Sequence, residues 1–99
     1  MFIKITNGDG GKRFIATIYE DYQGKKPMAR IKFGAVNGST YIDHHDDIKK
    51  KNYIARHSKL NENWNEISAG SLSRYLLWEK KSLEEAKKFY EKKFGVKFI

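Results

Sequence analysis

The spacing of apolar residues changes along this chain, from every second position before residue 42 to every third or fourth beyond it. Phe2-Ile3-Lys4-Ile5-Thr6 reads as a short strand, and Asn7-Gly8-Asp9-Gly10-Gly11 as a reversal whose glycines supply positive φ. From Arg13 to Tyr19, Phe14, Ala16 and Ile18 fall on one face and Arg13, Ile15, Thr17 and Tyr19 on the other. A second turn, Asp21 to Pro27, leads to Ala29, Ile31 and Phe33 alternating with Met28, Arg30 and Lys32. An antiparallel meander of three strands follows. Gly34 to Thr40 then leaves the sheet as a loop, with one more short extended piece expected at Thr40-Tyr41-Ile42.

Helical spacing begins with Ile48 to His57, headed by Asp46 and Asp47 and closed by Arg56-His57, charges placed as the helix dipole prefers. The densest apolar stretch runs from Tyr53 to Trp78. Within it Ile67 to Leu72 predicts a helix start, with Ser68 capping the first-turn amides and Ile67 packing on Leu72. Leu72, Tyr75, Leu76 and Trp78 continue as an apolar stripe, with Arg74 projecting toward a different face. Before it, Asn61 to Glu66 is a polar connection anchored by Trp64, which is expected to be buried. Ser82 and Glu85 form a capping box, after which Leu83, Ala86, Phe89, Tyr90 and Phe94 share one side and Lys87, Lys88, Lys92 and Lys93 the other. Gly95 is placed to end that helix, and Val96 to Ile99 is an apolar tail able to return to a sheet edge.

Strands followed by helices predict an α+β fold, an N-terminal three-stranded antiparallel meander followed by three helices, near 46–57, 69–78 and 83–94, packed on one face. Residues 1–99 are expected to form one domain, mainly strands over 1–42 and mainly helices over 43–99. Its expected core is Phe14, Ile18, Ile31, Phe33, Leu72, Leu76, Trp78, Leu83, Tyr90 and Phe94.

Composition narrows the setting. Six Phe, six Tyr and two Trp are too many aromatics for a disordered chain, although 32% of the residues are charged. The absence of Cys removes disulfides and thiolate zinc ligation, and suits a reducing compartment. Neither a signal-peptide pattern nor an apolar run near the roughly 20 residues of a membrane span is present, so an intracellular, non-membrane protein is expected. The net charge is +8 and uneven: residues 1–48 hold 7 Lys/Arg against 6 Asp/Glu, and residues 49–99 hold 13 against 6. A polyanionic partner gains from such an excess through counterion release and steering.

No enzymatic signature accompanies that charge. Asp43-His44-His45-Asp46-Asp47 with His57 has metal-binding residue types, yet adjacent histidines point apart and no i,i+4 histidine pair occurs on a helix. A metal-dependent nuclease would need the same carboxylates with a Glu-x-Lys type of neighbour, which is missing. Ser68, Ser71 and Ser73 lack a nucleophile elbow, and Gly8-Asp9-Gly10-Gly11 lacks the Lys-Ser/Thr of a phosphate-binding loop. The expectation is a non-enzyme without metal or cofactor. Phosphate contact is assigned instead to Lys49, Lys50, Lys51, Arg56, His57, Lys59 and Arg74, with the amides of Ala69, Gly70 and Ser71 at a helix start and the later lysines as support. Without a base-reading motif, sequence preference is expected to be weak, with DNA favoured over RNA.

Tyr53-Ile54-Ala55-Arg56-His57, Glu62-Asn63-Trp64-Asn65 and Ser68-Ala69-Gly70-Ser71-Leu72-Ser73-Arg74-Tyr75-Leu76-Leu77-Trp78, followed by the Leu83 to Phe94 helix, resemble a family of small basic proteins encoded by large and giant DNA viruses. Phe33-Gly34-Ala35 and Tyr41-Ile42-Asp43-His44 fit the same pattern, so the likeness spans most of the chain. The resemblance implies a viral source and an infected-cell setting: cytoplasm, virus factory, nucleus or virion. It carries no catalytic residue. It also frames the rival reading, a structural module of the virion or factory that meets an acidic viral protein through the same lysines.

Overall fold

The alternating first third forms three antiparallel strands, β1 (Phe2–Asn7), β2 (Lys12–Tyr19) and β3 (Pro27–Ala35). The computed structural model describes residues 1–23, 25–60 and 62–99; Gly24 of the second predicted turn and Asn61 of the predicted connection lie outside the described residues. Register sets the core face: Ile3 pairs with Ile18, Ala16 lies between Ile5 and Ile31, and Phe14 pairs with Phe33. All seven pack into the main apolar cluster. On the opposite face Lys4, Thr17 and Arg30 form one row and Thr6, Ile15 and Lys32 the next. The chain's tail does return, as β4 (Lys97–Phe98), parallel to β1 through Lys97 N–H to the Met1 carbonyl (3.1 Å) and Ile99 N–H to that of Ile3 (2.9 Å). Strand order is therefore β3-β2-β1-β4.

The helical part comprises α1 (Tyr41–His44), α2 (Asp47–His57) with a 3-10 turn at Ser58–Leu60, α3 (Ala69–Leu72) running into a π turn at Ser73–Leu77, and α4 (Leu83–Phe94). The α+β class is as the pattern predicts, and α4 has the predicted bounds, capped by Ser82 Oγ accepting from Glu85 N–H and ended by Gly95 at φ 66°. Two elements differ. The extended piece expected at Thr40-Tyr41-Ile42 is instead a helical turn, because Thr40 and Asp43 cap each other: Asp43 Oδ2 accepts from Thr40 N–H at 2.8 Å and from its hydroxyl at 2.8 Å. The helix expected at 69–78 is α-helical only to Leu72.

The π turn explains the core. In an α-helix Leu77 would stand about 140° round from Leu72. Wider i→i+5 bonding brings it back beneath, so that Leu72, Leu76 and Leu77 are all buried. Leu77 then presses on β3, where a Cβ on Gly34 would lie 3.0 Å from Leu77 Cδ1 and the backbone has φ 78°. Of the expected core, Ile18, Phe33, Leu72, Leu76 and Tyr90 are buried, while Phe14, Ile31, Trp78, Leu83 and Phe94 pack around them half-buried. Ile3, Ala16, Leu77, Ala86 and Val96 complete the centre. Among the described residues no helix is long and apolar enough to cross a membrane.

Leu76 is fully enclosed. Leu76→Ala is expected to lower the unfolding free energy by about 2–5 kcal/mol, read from chemical denaturation, whereas a loss within about 0.5 kcal/mol would contradict its place in the core.

Candidate functional site

Helical spacing on α2 puts Lys50, Tyr53 and His57 on its inner side. Tyr53 is the pivot: its ring stacks on His57 at 4.0 Å and, nearly parallel, on Trp78 at 4.3 Å. Trp78 in turn meets the edge of His44 at 5.4 Å. Burial, and then the charge of nearby Glu62, push the Tyr53 hydroxyl up to about 12.

Two carboxylates bind this ladder to its surroundings. Glu62 Oε1 lies 2.6 Å from His57 Nδ1, and its Oε2 accepts from Trp64 Nε1 at 2.9 Å. A carboxylate only accepts, so the Nδ1 of His57 carries the hydrogen and Nε2 is left for another partner. Glu79 forms an ion pair with Arg74, Oε1 to Nη2 at 3.2 Å, and accepts from Lys50 Nζ at 3.3 Å, while its backbone carbonyl takes a second Lys50 bond at 2.8 Å. Arg74, only 9% exposed, lies over the rings of Trp64 and Tyr75, at 5.4 and 5.0 Å from their centres. Its Nε and Nη1 have no partner among the described residues.

Beside the ladder lies a cleft of about 470 Å³ between the start of β2, the loop after β3, α2 and the π turn. Tyr53, Leu77 and Trp78 contribute apolar surface, Lys12 and Arg56 charge, and Ser39, Ser73 and His57 polar groups. A shallower pocket of about 180 Å³ adjoins it, sharing Lys12, Gly34, Tyr53, His57 and Ser73 and reaching Glu62, Ala69 and Gly70. Thr40 at the cleft rim is fixed by Arg13, which donates to its hydroxyl at 3.2 Å and forks onto Asp43 at 2.7 and 2.9 Å.

The residues assigned to phosphate contact divide into four groups. Lys49, Lys51, Arg56 and Lys59 are exposed. Lys50 and His57 are half-buried and already paired, to Glu79 and Glu62. Ser71 and Arg74 are buried: the Ser71 amide already donates to Ser68 Oγ at 3.1 Å while its Oγ bonds Tyr90 Oη at 2.9 Å, and Arg74 pairs with Glu79. The helix start at Ala69 and Gly70 is faced by the protein's own carboxylate, since a Cβ on Gly70 would lie 3.6 Å from Glu62 Oε2. Nor do the three lysines of α2 share one face, because successive residues turn about 100° and place Lys49 and Lys51 on different sides. Trp64 is half-buried rather than buried. His44 Nδ1 accepts from Asp46 N–H at 2.9 Å, and Asp46 caps α2 by accepting from Ile48 and Lys49 N–H. Among the described residues no three His, Asp or Glu are arranged to hold a metal. Sequence reading missed Lys12 and Ser39, which no local pattern marks, Glu79, whose partner Lys50 is distant in the chain, and Glu62, whose partners His57 and Trp64 are near in sequence but lie on either side of a connection that no periodicity places. The i,i+4 pair Tyr53 and His57 was visible as a helical neighbour pair.

Fold and cleft together describe a small basic α+β domain whose helices hold a cationic hollow against the end of a sheet. The chain belongs to a family of unknown function (DUF5754), which matches residues 6–57. Glu62, Trp64, Arg74 and Trp78 lie beyond the matched stretch. No curated protein and no solved structure matches the chain.

The guanidinium of Arg13 holds the Asp43 carboxyl well below the usual carboxylate range. A depressed carboxyl stabilises the fold above its unfolded pKa of about 4, and that stability is lost as pH falls toward the native value. Because the Asp43 side chain is 36% exposed, solvent screening limits the contribution to about 1 kcal/mol. Asp43→Asn is expected to be less stable than the parent at pH 7 and to close that gap as pH falls below about 4 in denaturation measurements.

Proposed function

We propose that the protein binds nucleic acid largely without sequence specificity, through phosphate contacts, with DNA favoured over RNA. The observation that carries this is the flank of α2 bearing Lys49 and Arg56, continued by Lys59 on the following turn: all three are exposed and stand outside every ion pair among the described residues. Residues seven apart on a helix return to one side, so Lys49 and Arg56 face a polyanion together. Lys88, Lys92 and Lys93 of α4 are exposed too and add further cations to the surface of the same half. No catalytic step belongs to this reading. The resemblance to proteins of large and giant DNA viruses supports an infected-cell setting, in the cytoplasm, a virus factory, the nucleus or the virion.

A second reading, a structural module that meets an acidic viral protein, draws support from a different feature of α2. A shallow groove lined by Asp47, Lys50, Lys51, Ile54 and Ala55 runs beside Ile48, which is 73% exposed. An acidic amphipathic partner suits such an apolar groove rimmed with lysine.

Salt dependence separates the two. Lys49→Ala combined with Lys59→Ala is expected to weaken binding to all duplex and single-stranded sequences alike and to reduce the slope of log K against log salt by about one for each phosphate no longer neutralised. Unchanged affinity and slope in the double variant, or no binding by the parent at low salt, would refute the nucleic-acid reading. A variant at Arg74 is a poor probe, since it disturbs a buried ion pair.

A further inference from the structure

We infer that the cleft between β2, α2 and the π turn is a binding site for a phosphate monoester carried on an organic body of about nucleotide size. This site meets the outer flank of α2 only at Arg56, and it goes beyond polymer binding. Its volume of about 470 Å³ lies within the range of small-ligand pockets. The charge lining it has one sign: Lys12 from β2 and Arg56 from α2 reach it, and no carboxylate is among its lining residues. Where Glu62 borders the adjoining pocket, His57 and Trp64 engage both of its oxygens. A phosphate monoester carries about −1.5 to −2 charges near pH 7 and three acceptor oxygens, so one group can answer a lysine and an arginine that come from different elements.

The remaining lining distinguishes the ester from a bare ion. Ser39 and Ser73 bring hydroxyls, and His57, its Nδ1 committed to Glu62, keeps Nε2 for a ligand; that atom is not among the enclosed unpartnered ones. Leu77 adds an apolar patch. Both faces of Tyr53 are already stacked, by His57 and Trp78, so Tyr53 offers an edge rather than a platform for a base. Recognition therefore falls on phosphate and sugar, and bases are not distinguished.

The test titrates the intact protein with AMP, adenosine, ribose 5-phosphate and inorganic phosphate, followed by calorimetry and by the fluorescence of Trp78 at the cleft. AMP and ribose 5-phosphate are expected to bind with similar affinity and at least about tenfold more tightly than adenosine or inorganic phosphate. Lys12 is exposed, so Lys12→Glu should keep the parent's circular dichroism and melting behaviour while weakening AMP by about tenfold or more, whereas Lys49→Ala with Lys59→Ala leaves it unchanged. Short single strands with a 5′-phosphate or a 5′-hydroxyl identify the source. Competition by the phosphorylated strand alone supports the site as a receptor for strand ends, and competition by AMP without either strand supports it as a receptor for free nucleotides. Adenosine binding as tightly as AMP overturns the inference, as does AMP affinity untouched by Lys12→Glu in a folded variant. A circular single strand, having no end, reads the outer flank without a terminal phosphate: its failure to bind while AMP still does would refute the polymer reading and leave the cleft standing.

Discussion

Two carboxylates hold the helical half together, and each engages two places in the chain. Glu62 ties the end of α2 to Trp64 and lies against Gly70 at the start of α3. Glu79 ties α2, through Lys50, to Arg74 on the π turn. Burying Arg74 is costly, and removing its partner would strand a charge at a cost of about 3–5 kcal/mol. Compensation comes from the flanking faces of Trp64 and Tyr75 as well as from Glu79, an arrangement that a planar guanidinium can accept and an ammonium cannot match. The stretches Arg56-His57, Glu62-Asn63-Trp64-Asn65 and Ser73 to Trp78, distinctive as sequence, are thus brought into one network by contacts at His57, Glu62, Trp64, Arg74 and Trp78.

Much of the architecture follows from local rules. Period-2 alternation placed the three strands, and the Ser68, Ser82 and Gly95 signals placed helix ends, because each depends on neighbours within a few residues. What escaped depends on tertiary packing. Leu72, Leu76 and Leu77 cannot all face inward on a regular α-helix, and the chain resolves the conflict by widening a turn, which in turn requires glycine at position 34 of the facing strand. Likewise Thr40-Tyr41-Ile42 has strand-like composition, but the Thr40 and Asp43 caps, reinforced by Arg13 from β2, select a helical turn.

The site was less legible than the fold, for a physical reason. Charge in a sequence carries no sign of where its partner is. Arg74 reads as a surface cation, yet Glu79 pairs with it and two aromatic rings lie against it; Ser71 reads as a first-turn amide donor, yet that amide already donates to Ser68 Oγ at 3.1 Å. The lysine run reads as one patch, but helical geometry splits it and Glu79 captures the middle residue. Lys12 and Arg56 stand far apart in the chain, and only the fold, which holds α2 through Tyr53 on Trp78, makes them neighbours of one hollow.

How the acids are used also shapes the outside of the molecule. Asp9, Asp43 and Glu79 are engaged in ion pairs within the fold that tie together elements distant in the chain, and Glu62 is hydrogen-bonded to His57 and Trp64. Pairing leaves the net charge at +8 but cancels field locally, so the unpaired cations dominate the potential wherever they cluster within a Debye length of about 8 Å. Along α2 this separates two environments on one helix. The side turned inward meets carboxylates and rings, and the side turned outward presents Lys49 and Arg56 to solvent. Arg56 stands at the boundary, at once on the exposed flank and at the cleft, so a ligand in the cleft and a polyanion on the flank would compete for one guanidinium.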